Sequence, residues 1–415
     1  MKKFFLSFLT FILLLCSLPY QVVLADDLDL HLPAQSAIAV EADTGKILYE
    51  KDSEKKRDVG GLSTLLTTYL IFEAIHEKKL SLKDPIKLSE KALALNDIEG
   101  AGTLPMEANQ YTVDQLLTAL LVGNSSTAAL ALAEKVGGSE KSFVEKMKQK
   151  LSEWGIQSPH LINATGLNTQ TISGDSDGKE DENQLSAYDI AVIAKHLLQD
   201  FPEVTKYTSK PTALFSNTQI ENPNLMLEGM PNYRSGVDGL RVSNSTKGGI
   251  TFAASTTQNG IHMITVVLGV EAVDGDPYAR FVATSSLMNY VVRTFVSSIV
   301  VKEGDPYGKS KATIMDGKSE TVLAVAKKDF YIVEKQGSQA EPKIQFKSDQ
   351  ESFRAPVKSG TNLGKLHYTD PDKIGRGYLE DQEPTVDMVA GRTIEKSFFL
   401  KVWWNEFVRY VNEKL

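Results

Sequence analysis

The sequence predicts an α+β protein: a mixed helix-and-sheet part, then a small β-rich part, then a closing amphipathic helix. Three observations carry that expectation. Apolar residues recur at helical spacing between residues 62 and 198, a buried-strand run covers Ile261 to Val270, and short β-type runs separated by Gly, Pro and Asp turns fill residues 300–389. A chain of 415 residues suits two or three domains, and its 42% hydrophobic and 24% charged residues exclude a wholly disordered, collagenous or multi-spanning membrane chain. The formal charge of −8, from 45 Lys and Arg against 53 Asp and Glu, gives no electrostatic basis for binding nucleic acid.

The chain opens with Lys2 and Lys3, an apolar stretch from Phe4 to Leu15, and Val23-Leu24-Ala25 ahead of Asp26-Asp27. That order predicts a secretory signal peptide over residues 1–25. The alternative is a retained membrane anchor, but Pro19 and Gln21 interrupt the run before the ~20 residues a span needs. A lipoprotein leader would want a small residue before Cys16, where Leu13 to Leu15 stand. Cleavage after Ala25 loses two lysines and no acid, deepening the charge from −8 to −10, and it removes the single cysteine. An exported chain without disulfides depends on core packing, which suits a bacterial protein at the outer face of the cytoplasmic membrane or in the cell wall.

The first folded part is expected over residues 26–295. A strand from Ala37, a turn at Asp43-Thr44-Gly45 and a strand through Ile47-Leu48-Tyr49 read as a hairpin. Helices are predicted from Leu62 to His76, after a Thr112 cap with Leu116, Leu117, Leu120 and Leu121 at helical spacing, from Ala128 to Val136, from Lys141 to Trp154 and from Ser186 to Leu198. Ser173 to Gln184, almost entirely Gly, Ser and charged, reads as an exposed loop with no means of packing. The β-rich part, residues 296–391, reads as a small sandwich or barrel, with strands at Thr321–Ala326, Phe330–Glu334, Ile344–Phe346, Lys365–Tyr368 and Val386–Val389.

Projected at 100° per residue, the segment from Thr393 to Leu415 gathers Phe399, Leu400, Trp403, Trp404, Phe407 and Val408 on one half, with Lys401, Asn405, Glu406 and Arg409 on the other. It is too charged to span a bilayer. It reads either as a helix in the membrane interface, driven by apolar insertion, or as a terminal helix docked on the body.

Several runs resemble the serine-type D-alanyl-D-alanine carboxypeptidases, the low-molecular-mass penicillin-binding proteins. They are Glu41-Ala42-Asp43-Thr44-Gly45-Lys46-Ile47-Leu48-Tyr49, Asn163-Ala164-Thr165-Gly166-Leu167, Leu185-Ser186-Ala187-Tyr188-Asp189, Leu227-Glu228-Gly229-Met230-Pro231 and Tyr278-Ala279-Arg280-Phe281. The resemblance implies a penicillin-binding, serine β-lactamase-like transpeptidase domain with a helical part and a five-stranded antiparallel sheet, a β-rich second domain and an amphipathic anchor. The implied chemistry removes a terminal D-alanine from the stem pentapeptide through an acyl-enzyme, with no cofactor and no metal.

Such chemistry needs S-x-x-K at a helix start, S-x-N, and K-T-G on an edge strand. By the resemblance the first falls on Gly61-Leu62-Ser63-Thr64, so that Gly61 stands at the nucleophile and Thr64 at the base. The second falls on Asn124-Ser125-Ser126, and the third on Arg241-Val242-Ser243, which keeps a positive charge but loses the hydroxyl and the glycine. Ser63 lies about 200° round a helix from Gly61 and would point away from the cleft. The formal S-x-x-K matches at Ser53–Lys56 and Ser176–Lys179 lack a following apolar helix, and Lys358-Ser359-Gly360 reads as a turn. Losing a nucleophile or its base typically costs on the order of 10⁴ to 10⁶ in turnover.

No catalytic set is therefore intact, and the expectation is a pseudoenzyme. Asn124, Ser126, Arg241, Val242 and Ser243 remain as candidate peptide-binding residues, with Arg241 either pairing with a terminal carboxylate or standing as a solvated charge at a strand end. The partners expected are a peptidoglycan stem peptide or wall-synthesis proteins, and a membrane surface through the last helix. The alternative is an active carboxypeptidase using a nucleophile such as Ser63 or Ser126.

Overall fold

The computed structural model describes residues 30–98, 104, 106–173, 180–340 and 343–414. The predicted signal peptide and the Ser176–Lys179 match lie outside the described residues. The chain enters through the predicted hairpin, β1 (Ala34–Glu41) and β2 (Ile47–Lys51), whose turn is held by the Glu41 carboxylate accepting the Asp43 and Thr44 amides at 3.0 and 2.6 Å. Helix α1 (Thr64–His76) buries ten of its 13 residues, as befits a helix packed on more than one side. Helix α2 (Val113–Leu121) starts on the predicted capping box, Thr112 and Gln115 each satisfying the other's amide. Ser125 and Ser139 cap α3 (Ser126–Gly137) and α4 (Glu140–Glu153) by accepting single amides, those of Ala128 and Ser142, and Ser186 with Asp189 forms a second capping box at α5 (Ala187–Asp200).

Strands β3 (Val237–Ser245), β4 (Gly249–Gln258) and β5 (Ile261–Val270) complete an antiparallel sheet ordered β2-β1-β5-β4-β3. Central β5 buries nine of its ten residues between α5 and α6 (Ala279–Thr294), which explains its unbroken apolar reading. Strand β3 is the edge, and the turn leading into α1 packs against it.

The β-rich part runs β6 (Phe295–Val301), β7 (Pro306–Met315), β8 (Thr321–Ala326), β9 (Phe330–Lys335), β10 (Lys343–Ser348), β11 (Phe353–Arg354), β12 (Asn362–Thr369) and β13 (Thr385–Ala390). A six-stranded sheet ordered β10-β12-β13-β8-β7-β11 and a β6-β9 ribbon share one core through Val301, Phe330, Ile332, Leu366, Tyr368 and Met388. Lys358-Ser359-Gly360 is a turn, as expected. The loop from β12 to β13 reaches back into the first part. Its Leu379 is fully buried in that part's core, and Glu380 accepts from Lys195 Nζ at 2.8 Å and His196 Nε2 at 3.0 Å. Asp370 and Lys46 form an ion pair at 2.7 Å with both side chains buried, and Tyr378 donates to the same carboxylate at 3.0 Å.

Two expectations need correction. Residues 180–184 are not a loop without packing: Glu182 is 3% exposed and Asn183 fully buried, because the Asn183 amide fits between Ser63 and the backbone of Ile162 and Asn163. The last helix, α7 (Phe399–Lys414), begins six residues later than Thr393, because Ile394 is buried in the β-rich core and bridges to Val357. Phe399, Leu400, Trp403, Trp404, Phe407 and Val408 on α7 are between 38% and 67% exposed, so docking on the body does not bury them; Trp404 and Val408 flank a cavity against Ile314 and Gly317.

Candidate active-site cleft

A cleft of about 640 Å³ opens between β3 and the helical part, and it collects six of the seven residues singled out above: Gly61, Asn124, Ser126, Arg241, Val242 and Ser243. The seventh, Thr64, does not line it. Its hydroxyl is 1% exposed as part of the residue and donates back to the Gly61 carbonyl at 2.7 Å, one turn earlier.

Gly61 sits in a short 3₁₀ turn, Gly60–Ser63, leading into α1. Its amide donates to Ser243 Oγ at 2.7 Å, tying the helical part to the edge strand. A Cβ built on Gly61 would stand 3.0 Å from Ser243 Oγ and 3.8 Å from Arg241 Nη2, so a side chain at this position would project into the space between them. Ser63 faces elsewhere, as the helical spacing predicts. It is fully buried, donates to the Gly60 carbonyl at 2.9 Å and accepts from Asn183 Nδ2 at 2.8 Å. Lys56 of the Ser53 match pairs with Asp189 and is no base for that hydroxyl.

Asn124 has φ +54°, a left-handed backbone that asparagine tolerates better than most residues, and this turns its side chain onto β3. Its Nδ2 donates to the Val242 carbonyl at 3.1 Å. The amide of this candidate peptide-binding residue thus already holds the strand edge. Ser125 caps α3, while Ser126 Oγ borders the cleft at 6% residue exposure.

Arg241 is not a solvated strand-end charge. It is 5% exposed, because the end of α2 covers it: Nη1 donates to the Leu120 carbonyl at 2.5 Å. Nε is buried without a partner, and no carboxylate pairs with the guanidinium among the described residues. Burial pulls its pKa down to about 10, which still leaves it cationic at neutral pH. Arg280 on α6 is likewise lowered to about 10 by burial, but its donors are engaged, Nη1 with the Ser243 and Thr251 carbonyls at 2.8 and 3.1 Å and Nη2 with Asn244 Oδ1.

Residue types around the cleft limit its chemistry. Ser126, Thr165 and Ser243 supply hydroxyls, but no lysine, histidine or cysteine is among the lining residues, and no hydrogen bond joins the rim carboxylate Glu221 to any of those hydroxyls. The sequence assigns no role to Thr165, Gly166, Glu221 or Arg280; the family-like runs at 163–167 and 278–281 contain three of them, and nothing in the sequence marks Glu221. Gly166, at φ +78°, lets the backbones meet: a Cβ there would lie 2.3 Å from the Gly60 carbonyl. Among the described residues no three His, Cys, Asp or Glu side chains gather as a metal site, and no helix is long and apolar enough to cross a membrane.

The model of the D-alanyl-D-alanine carboxypeptidases matches residues 23–272, and that of the penicillin-binding protein 5 C-terminal domain matches residues 295–396. The crystal structure of a peptidoglycan synthesis regulatory factor (PBP3) from Streptococcus pneumoniae is 44% identical and has a TM-score of 0.84, covering 88% of this chain and 100% of that one. The D-alanyl-D-alanine carboxypeptidase DacF of Bacillus subtilis is 26% identical over 338 residues, 80% of each chain. Penicillin-binding protein 5 from Haemophilus influenzae, at 22% identity and a TM-score of 0.68 over 88% of this chain and 98% of that one, has the same fold.

Proposed function

This chain belongs to the D-alanyl-D-alanine carboxypeptidase family, and we propose that it binds a peptidoglycan stem peptide in the cleft without forming an acyl-enzyme. One observation carries the proposal: the cleft keeps a buried, unpaired cation, Arg241, beside a position that has no side chain at all, Gly61. The cation suits a peptide carboxylate. Glycine at the place that the resemblance assigns to the nucleophile leaves nothing to attack a carbonyl, and Thr64, at the place of the base, bonds its own turn instead.

Incubating the exported protein with a labelled β-lactam, then separating under denaturing conditions, tests the loss of chemistry. The expected gel carries no covalent band, alongside an active relative that labels; a stable adduct on this chain would overturn the proposal. A second reading, regulation of a wall-synthesis complex through protein contacts, is favoured by the relative described as a regulatory factor. Calorimetry separates the two, since absence of heat with stem peptides at millimolar concentration supports regulation without a peptide ligand. In both readings the protein works at the outer face of the cytoplasmic membrane, beneath the wall, with the exposed apolar side of α7 resting in the interface.

A further inference from the structure

Resting on the peptide-binding reading, we infer that the cleft selects a stem peptide already shortened by one residue, whose new carboxylate ends between Gly61 and Arg241, over the full-length pentapeptide. The inference starts from Arg241. A buried guanidinium with no anion is an unfavourable arrangement unless a ligand supplies the charge. Leu120 occupies Nη1, whereas Nη2 lies 3.8 Å from where a Cβ of residue 61 would stand.

An attacking oxygen at position 61 would need the reacting carbonyl within about 3 to 3.5 Å. With glycine there no side chain stands between the turn and Nη2; Ser243 Oγ, 3.0 Å from where a Cβ would be, bounds the space on its other side. An anion paired with Nη2 therefore occupies the place of the reacting carbonyl. That anion is the carboxylate created when the terminal residue has been removed.

The longer peptide fares worse. Its carboxylate would lie roughly 3.5 Å further on, one residue along the strand edge. At the position where the resemblance expects a hydroxyl for that carboxylate stands Val242, and the Ser243 side chain, bonded to the Gly61 amide at 2.7 Å, stands where glycine would let a ligand approach. The Val242 carbonyl is held by Asn124, and the Arg280 donors are held by Ser243, Thr251 and Asn244. The terminus of a pentapeptide meets no uncommitted cationic donor there. The ligand is thus supplied by hydrolytic removal of a C-terminal residue, carried out by another enzyme, and this chain acts after that reaction as a reader of its product.

Calorimetry on the full exported chain with three otherwise identical synthetic ligands tests this: a pentapeptide ending in D-Ala-D-Ala, the tetrapeptide ending in one D-Ala, and that tetrapeptide as its C-terminal amide. The tetrapeptide should bind more tightly than either of the others by on the order of ten- to a hundredfold, the worth of one charge-assisted hydrogen bond. Arg241→Met should remove the preference. Because a core change at that site risks the fold, the double variant Val242→Thr, Ser243→Gly provides an independent check and should move the preference toward the pentapeptide. Equal or tighter pentapeptide binding overturns the inference and leaves the binding reading intact. Binding of none of the three overturns both.

Discussion

Asn183 shows how a single amide holds the approach to the cleft. Its Oδ1 accepts the Ile162 and Asn163 amides at 2.7 and 3.3 Å, and its Nδ2 donates to Ser63 Oγ and the Asn163 carbonyl at 2.8 and 3.0 Å. All four bonds are buried or partly buried, and the residue itself has no exposed surface. Asn183→Ala would leave those donors and acceptors without partners in a dry site. The expected loss is about 3 kcal/mol in urea unfolding, against about 0.5 kcal/mol for an exposed substitution. A loss below about 1 kcal/mol would mean that water replaces the amide without difficulty. Composition hid this residue: flanked by Glu180, Asp181, Glu182 and Gln184, it looks solvated, and its partners lie 20, 21 and 120 positions away.

At the scale of elements, what was legible is what local chemistry decides. The hairpin turn at 43–45, the Thr112 capping box and the apolar run of β5 each carry their own signal within a few residues, and β8 falls where its alternation places it. Strand β7 escaped because Pro306 to Lys309 interrupt its pattern, and only from Ser310 does burial alternate. The burial of Arg241 escaped for a different reason. Its cover comes from the Leu120 carbonyl, and nothing in the strand sequence reports an element 121 positions away. The start of α7 was blurred because Thr393 to Phe398 continue an amphipathic projection while belonging to the β-rich part. This matters for testing the helix. A truncation before Thr393 would also remove the core residue Ile394, so the informative cut follows Ser397. The full chain should float with liposomes and the cut chain should not; equal flotation would show that α7 is not the tether.

For the whole molecule, the loop carrying Tyr378 to Asp381 decides whether the two folded parts behave as one. Burial would raise the Glu380 carboxyl, but hydrogen bonds and charge from His196 and Lys195 more than reverse this and hold it at about 2. An acid lowered on folding contributes stability above its ordinary pKa of 4.5, and the contribution fades as pH falls toward 2. Acid should therefore loosen this clamp in that window. Melting temperatures recorded from pH 5 to pH 2 should fall more steeply for the native chain than for Glu380→Gln, whose amide does not titrate; parallel curves would show that the clamp contributes nothing. Above the window, Leu379 in the foreign core and the buried Lys46–Asp370 pair leave the two parts no hinge. The separation between the cleft and the β-rich part is consequently a fixed length. A rigid pair of this kind presents its cleft in one fixed attitude to whatever holds the β-rich part, and geometry has made that choice before affinity is consulted.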